Sequence, residues 1–306
     1  MSPDPAVHLI DLQFQGQAGY IATGVLDGGD GPILVDPGPA STLPALQRGL
    51  EDLGTSLEDV SAILLTHIHL DHAGAAGILA EDNPKIRIRV HRAGARHLLD
   101  PSRLLASATR LYGDQMETLW GAIHPVPEET LIPLDGGEEF DLGGRHFSSL
   151  ATPGHAVHHM AYRDEVTGTA FVGDAAGERF SGTTMVIPVT PPPDIDVEAM
   201  LTSTAAIRDW HPVQLFLTHF GPFGDVTHHL DDHDARLQRF SARVERESRR
   251  SDADDQALAA AFARDFLREY AADLAPGVPM PVHADGVMAS WVGLARYHRK
   301  RVPTPE

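Results

Sequence analysis

The sequence predicts an α/β or α+β protein in which helices cover β-sheets, and three observations point there. Short aliphatic runs alternate with stretches of helical periodicity over the first 225 residues, and such interleaving places helices on the faces of sheets. Several aliphatic runs end directly in metal-competent side chains, at strand ends where open α/β sheets build their sites. After Gly224 the strand pattern stops and only helical periodicity remains.

Taken in order, GPILVD (31–36) reads as a strand running into the turn PGPAS. STLPALQRGLEDL (41–53) reads as a helix, with Ser41 or Thr42 capping its start and Gly54 ending it. SAILLT (61–66) is a buried strand, and AGAAGILAED (73–82) a short helix. KIRIRVH (85–91) alternates as a strand does. Residues 95–123 carry Leu98, Leu104, Leu105, Ala108, Leu111, Tyr112, Met116, Leu119 and Trp120 at helical spacing. They form a helical insertion packed on the body, with a lid or a dimer contact as the sharper reading. FSSLATPGH (147–155) and a hairpin over 159–174, turning near Glu165–Gly168, supply further strands. Residues 196–210 form a helix that Pro212 stops, and VQLFLTH (213–219) is the last strand. The expected division is a main domain over 1–225 and a helical C-terminal extension over 226–306. The extension ends in a basic cluster of Arg296, Arg299, Lys300 and Arg301, read as a solvated face or a site for an anionic substrate group.

Composition removes several function classes. The formal charge of −19 disfavours nucleic acid as a partner, because a polyanion needs a basic face. With no cysteine there is no disulfide, thiolate metal site or cysteine nucleophile. No apolar run approaches the roughly 20 residues that span a bilayer. The amino-terminal MSPDPAVHLIDLQF lacks a basic start followed by an apolar stretch, so the cytoplasm is the default location, and the expected partner is a small-molecule substrate. Histidine is the outlier, with 18 residues dispersed along the chain.

The densest cluster is LLTHIHLDHAGAAG (64–77). On a helix, positions i and i+2 point about 200° apart, so His67 and His69 could not share a metal. On an extended chain His67, His69 and Asp71 project to one side, and His72 faces away or joins from the first turn of the next helix. Imidazole with carboxylate suits zinc, manganese or iron. His155 in TPGH, Asp174 in FVGD and His219 in FLTHFG each follow another apolar run. The seven make enough ligands for two metals with positions left open for water and substrate. A second dense stretch, HHLDDHD (228–234), reads instead as a solvated helix start, its acids favoured by the helix dipole.

From about residue 8 to 225 these motifs resemble the metallo-β-lactamase superfamily. DPG (36–38), THIHLDH (66–72), TPGH (152–155), GD (173–174) and TH (218–219) occur in that family's order. The resemblance implies a four-layer αββα sandwich with the metals at one edge between the sheets. It implies two divalent ions, zinc foremost with manganese or iron as alternatives. His67, His69 and His155 would hold the first, Asp71, His72 and His219 the second, and Asp174 would bridge them. Asp36 and His159 would support the ligands. The reaction implied is attack of a metal-bound hydroxide on the carbonyl of an ester, thioester or lactone, with Asp71 orienting the hydroxide or accepting its proton.

Within the superfamily the motifs are most similar to the glyoxalase II-like thioesterases. Arg299, with Arg296 and Lys300, is the substrate contact this suggests; Tyr112 and Trp120 of the insertion are further candidate contacts, Tyr112 as a donor to the carbonyl in a lactonase-like reading. Two alternatives stay open. One is an acyl-homoserine lactonase-like hydrolase, with the insertion holding an acyl chain. The other is a persulfide dioxygenase with a single iron. A homodimer through the insertion or the C-terminal helices is a further expectation.

Overall fold

The computed structural model describes residues 6–249, 254–278, 280–282 and 284–301. The first five residues of the stretch read for a signal lie outside the described residues, as do 250–253, 279, 283 and 302–306 of the helical extension. Among the described residues the chain forms two six-stranded sheets. The first holds, in spatial order, β1 (Val7–Asp11), β2 (Ala22–Gly28), β3 (Gly31–Val35), β4 (Ala62–Leu64), β5 (Arg87–His91) and β6 (Leu131–Leu134). The second holds β7 (Glu139–Leu142), β8 (Arg145–Ala151), β9 (Met160–Asp164), β10 (Thr169–Phe171), β11 (Gln214–Leu217) and β12 (Gly221–Phe223), also in sequence order.

The layers follow from alternation along each strand. In β3, Ile33 and Val35 enter a core shared with Phe147, Tyr162, Phe171 and Phe216 of the second sheet. Leu34 points the other way and packs with Leu46 and Leu50 of α1 (Leu43–Asp52). On the outer face of the second sheet, Leu215 and Leu217 pack against Ile207 of α7 (Val197–Asp209) and Leu230 of α8 (Val226–Ser248). Helix, sheet, sheet and helix therefore stack as the expected αββα sandwich. Strands covered on both faces read as continuous apolar runs, which is why β3 and β4 are visible in the sequence.

The strands without such a pattern are β1, β2, β6, β7 and β12. In β2, ATGVLDG, a Cβ on Gly24 would sit 2.7 Å from the Phe171 ring, so the closest approach of the sheets removes the strand's apolar signal. Pro133 interrupts β6, which lies at a sheet edge where proline costs no ladder hydrogen bond. Thr42 stands at the N-cap of α1, one of the two positions expected, but its side chain does not cap the helix. Thr42 donates its hydroxyl to the Pro39 carbonyl, and Ser41 donates to Leu119 of the insertion.

Helices α2 (Leu70–Ala73) and α3 (Ala76–Asp82) follow β4. The insertion starts at Arg92, before the expected 95, and consists of α4 (Arg92–Leu99), α5 (Ser102–Tyr112) and α6 (Met116–Trp120). The extension continues with α9 (Asp255–Asp273) and α10 (Ala284–Lys300). Its Phe240, Phe262, Phe266, Trp291 and Leu294 form one core with Phe180, Ile187 and Met200 of the sandwich. No described helix is long and apolar enough to cross a membrane.

The HHLDDHD stretch corrects the reading of a solvated helix start. Residues 228–234 lie in the first turns of α8, but His229 and His233 are fully buried. Four residues apart, they share one helix face, and that face is pressed onto the 174–187 segment. There His229 Nε2 donates to the Ala176 carbonyl at 2.9 Å.

Candidate metal centre

The chain leaves β4 extended, so His67 and His69 project together, with His67 Nε2 2.9 Å from His69 Nδ1. The extended reading stops there. Leu70 opens α2, so Asp71 is delivered by that helical turn rather than by a strand-like continuation, while His72 joins from the first helical turn, one of the two places expected for it. His155, in the loop after β8, brings its Nε2 to 3.0 Å from His69 Nδ1. His219, after β11, lies 3.4 Å from Asp71 Oδ2. Asp174 sits centrally, its carboxylate 3.3 Å from His72, 3.4 Å from His155, 3.7 Å from His219 and 3.9 Å from His67. Gly173, with φ +45°, makes that position reachable. A Cβ there would meet Thr66 Oγ1 at 2.5 Å and His159 Nε2 at 2.8 Å.

Three sets of ligand atoms, each within 4.8 Å, result: His67, His69 and His155; His67, His72 and Asp174; Asp71, His72 and His219. The hydrogen bonds behind the rings fix which nitrogen faces inward. His72 Nδ1 donates to Asp36 at 2.7 Å, His155 Nδ1 to Val189 O at 3.0 Å, and His219 Nδ1 to Tyr20 O at 2.9 Å. His67 Nδ1 lies 3.2 Å from Thr66 Oγ1, a hydroxyl already donating to Asp36. In all four rings Nε2 is therefore the nitrogen that faces the other rings and the carboxylate oxygens, and in the neutral ring it is a bare lone pair. His72 Nε2 and Asp174 Oδ1 are buried with no hydrogen-bond partner. Acceptors converging on acceptors repel one another unless a cation lies between them, so the residues fit a metal centre.

The electrostatics divide the cluster. Burial lowers His67 well below the usual imidazole range and His69 to about 4, so both are neutral, the form that ligates. Burial also opposes charge on His72 and His219. The facing Asp174 and Asp71 carboxylates overcome it, raising His72 and lifting His219 to about 9. That half of the cluster calls for positive charge.

Asp36 is fully buried at φ +52° and accepts from Thr66 N, Thr66 Oγ1, Thr218 Oγ1 and His72 Nδ1. One carboxylate thus orients His72 and ties the first sheet's site loop to the second sheet's. His159 accepts from Asp174 N at 3.1 Å and pairs with Thr152 at 2.7 Å, which fixes the backbone of the central aspartate.

A cavity of about 510 Å³ opens over His69, Asp71, His155, Asp174 and His219. Tyr112 and Trp120 line it, their rings 5.1 Å apart and edge to face. Arg299 does not. It forms an exposed two-pronged ion pair with Asp255, and Arg301 pairs with Glu198, so the basic cluster is tied to neighbouring helices away from the cavity. A larger cavity of about 1050 Å³, at the opposite end of the first sheet, contains none of the seven candidate ligands. Sequence reasoning missed Tyr20, Glu178 and the Pro188–Asp194 loop, all of which line the smaller cavity. Burial pushes the Glu178 carboxyl up to about 7. No motif marks these residues, because their neighbours come from distant parts of the chain.

A sandwich of this layering with a histidine and aspartate cluster at one edge defines a metallohydrolase-type fold. The family model described as the metallo-beta-lactamase superfamily matches residues 16–243, and the chain belongs to that superfamily, whose members are largely hydrolytic metalloenzymes. Among sequence relatives, the metallo-beta-lactamase fold-containing protein ST1585 of Sulfurisphaera tokodaii is 36% identical over 139 residues, covering 44% of this chain and 51% of its own. A hydroxyacylglutathione hydrolase of Yersinia enterocolitica is 29% identical over 155 residues, covering 49% and 47%. The chain thus spans about half the length of these relatives. Among solved structures, the metallo-beta-lactamase family protein TTHA1429 of Thermus thermophilus superimposes with a TM-score of 0.72 at 23% identity, over 97% of this chain and 94% of that one. This last likeness speaks for the fold.

Proposed function

We propose that this chain is a metal-dependent hydrolase of a carboxylic ester or thioester, akin to the hydroxyacylglutathione hydrolases among its relatives. The observation that carries the reading is the inward-facing donor set, in which four imidazole Nε2 atoms and two carboxylates converge and the buried His72 Nε2 and Asp174 Oδ1 have no hydrogen-bond partner. Divalent ions held by such donors, with zinc foremost, lower the pKa of water toward 7 and polarise a carbonyl.

The chain's own residues supply the rest. Asp71, its side chain 26% exposed, orients the attacking water and accepts its proton. Tyr112, at the cavity wall, donates its hydroxyl to the substrate carbonyl oxygen. Trp120 and the neighbouring apolar wall exclude bulk water from the reacting carbonyl. His155 and His219 are pinned by backbone carbonyls, so the donor set stays fixed while substrate enters.

The test is elemental analysis of the purified protein alongside hydrolysis of p-nitrophenyl acetate and S-lactoylglutathione. About two divalent ions per chain, with hydrolysis lost on chelation and restored by zinc, is the expected result. About one iron per chain, with oxygen consumed on addition of a persulfide, would overturn it. Tyr112→Phe should lower kcat by about tenfold or more, as expected for a lost oxyanion donor.

A further inference from the structure

We propose that the site takes substrates with a long apolar acyl group and an anionic leaving part. This rests on the hydrolase reading and names the substrate class. Beyond the metal cluster the cavity is walled by Phe180, Ile187, Phe240, Phe262, Phe266 and Val287, from the 180–187 segment and from all three C-terminal helices. Among the described residues no charged side chain of α8, α9 or α10 lines it. A wall of that kind offers nothing to a charged acyl group and everything to a hydrocarbon chain.

The mouth carries the opposite chemistry. Arg96 of α4 and Arg103 of α5 line it, both exposed; Arg96 Nε donates to His97 Nε2 at 3.2 Å, and among the described residues neither guanidinium forms an ion pair with a carboxylate. Two carboxylates lie nearby: Asp194, which lines the cavity and acts on His97, and Asp100, which lies close enough to Arg103 to feel its charge. On a chain of charge −19, where most other arginines have carboxylate partners, two guanidinium groups at one opening that lack one among the described residues are a site for an anion. Beside them Leu111, Val157 and Tyr112 are exposed at 61%, 55% and 39%, an apolar collar at the entrance. The arrangement fits an acyl group passing inward over the metal cluster, with the leaving thiol or alcohol held outside. On hydrolysis the acyl carbon takes the water oxygen, the C–S or C–O bond breaks, and the leaving atom takes the proton.

Gly286 of α10 provides the test. It lines the cavity, and a Cβ built on it meets nothing within 4 Å, so a side chain can start there, and Gly286→Trp is the variant chosen to narrow the chamber. Decanoyl-coenzyme A should be hydrolysed with a kcat/KM at least about 100-fold above that of acetyl-coenzyme A, since a single buried methylene is worth about tenfold or more. Gly286→Trp should shrink that ratio below about tenfold. Arg103→Glu should raise KM for decanoyl-coenzyme A and leave KM for the neutral p-nitrophenyl decanoate in place. An unchanged KM for the anionic substrate would overturn the assignment of the mouth. Calorimetry separates the chamber from the chemistry. Decanoate binding no tighter than acetate would overturn the chamber. Decanoate binding that Gly286→Trp weakens, without hydrolysis of either thioester, would uphold the chamber and overturn the hydrolase reading instead.

Discussion

Two stretches of this chain are built from the same residue types and meet opposite fates. Residues 67–72 hold three histidines and an aspartate, and residues 228–234 hold three histidines and three aspartates. In the first, an extended pair and one helical turn send bare ring nitrogens and a carboxylate into a single space. In the second, a regular helix spreads them around its circumference. His229 and His233 go inward. Asp231 pairs with Arg208, Asp232 accepts from Val186 N and Arg236, and Asp234 accepts from Thr204. Every carboxylate there already has a donor, and among the described residues no three ligand atoms of that stretch converge. Cluster density in sequence therefore says less than backbone conformation about whether donors can meet.

The comparison breaks first at its centre. Asp174→Ala removes the group that touches both halves of the donor set. It should cut turnover by about 10³-fold and lower bound metal, since metal assistance is worth several kcal/mol and each 1.36 kcal/mol is tenfold. Steady-state kinetics with metal analysis of the same sample checks it, and full activity would remove Asp174 from the site. Asp36→Asn acts one step back, through His72, and should weaken metal affinity or activity by about 10- to 100-fold, as measured by competition with a chromogenic chelator.

The other stretch should respond in stability alone. His229→Leu leaves the buried Ala176 carbonyl without its donor and should cost about 1–3 kcal/mol in urea unfolding. Metal content should stay at the wild-type value, and a fall would make 228–234 a second metal region. The smallest effect is in pH. Burial holds His229 at about 4 in the folded state, below the unfolded value near 6.5. Its contribution is complete above pH 6.5 and is lost as pH falls toward 4. Between pH 6.5 and 5.5 the wild type should therefore lose about 1 kcal/mol more stability than His229→Leu. Equal losses would mean that His229 is solvated.

Much of the sandwich was legible because strands buried on both faces, such as β3 and β4, must be apolar throughout. What escaped was edge strands and β2, where Gly24 trades side chain for close sheet contact. The HxHxDH cluster was legible for a related reason. The chemistry admits few residue types, and the chain supplied four of them within one stretch. Its backbone was only half legible, since Asp71 comes from a helix rather than an extended run. The Arg299 assignment failed because charge in a sequence carries no direction, and Asp255 lies close enough to claim the guanidinium.

The sequence by itself determined the donor types and their positions after buried strands, because ligand chemistry and strand burial are both local constraints on composition. Only the tertiary structure decided which ring nitrogens face inward, since the groups holding them are far along the chain: Val189 for His155 and Tyr20 for His219. It also decided that Asp36 and Thr218, 182 residues apart, would meet behind the cluster. The cavity walls followed the same rule. Helices that look like an appendage in sequence furnish much of the apolar surface beside the metal centre, because their buried faces needed the sandwich to pack against.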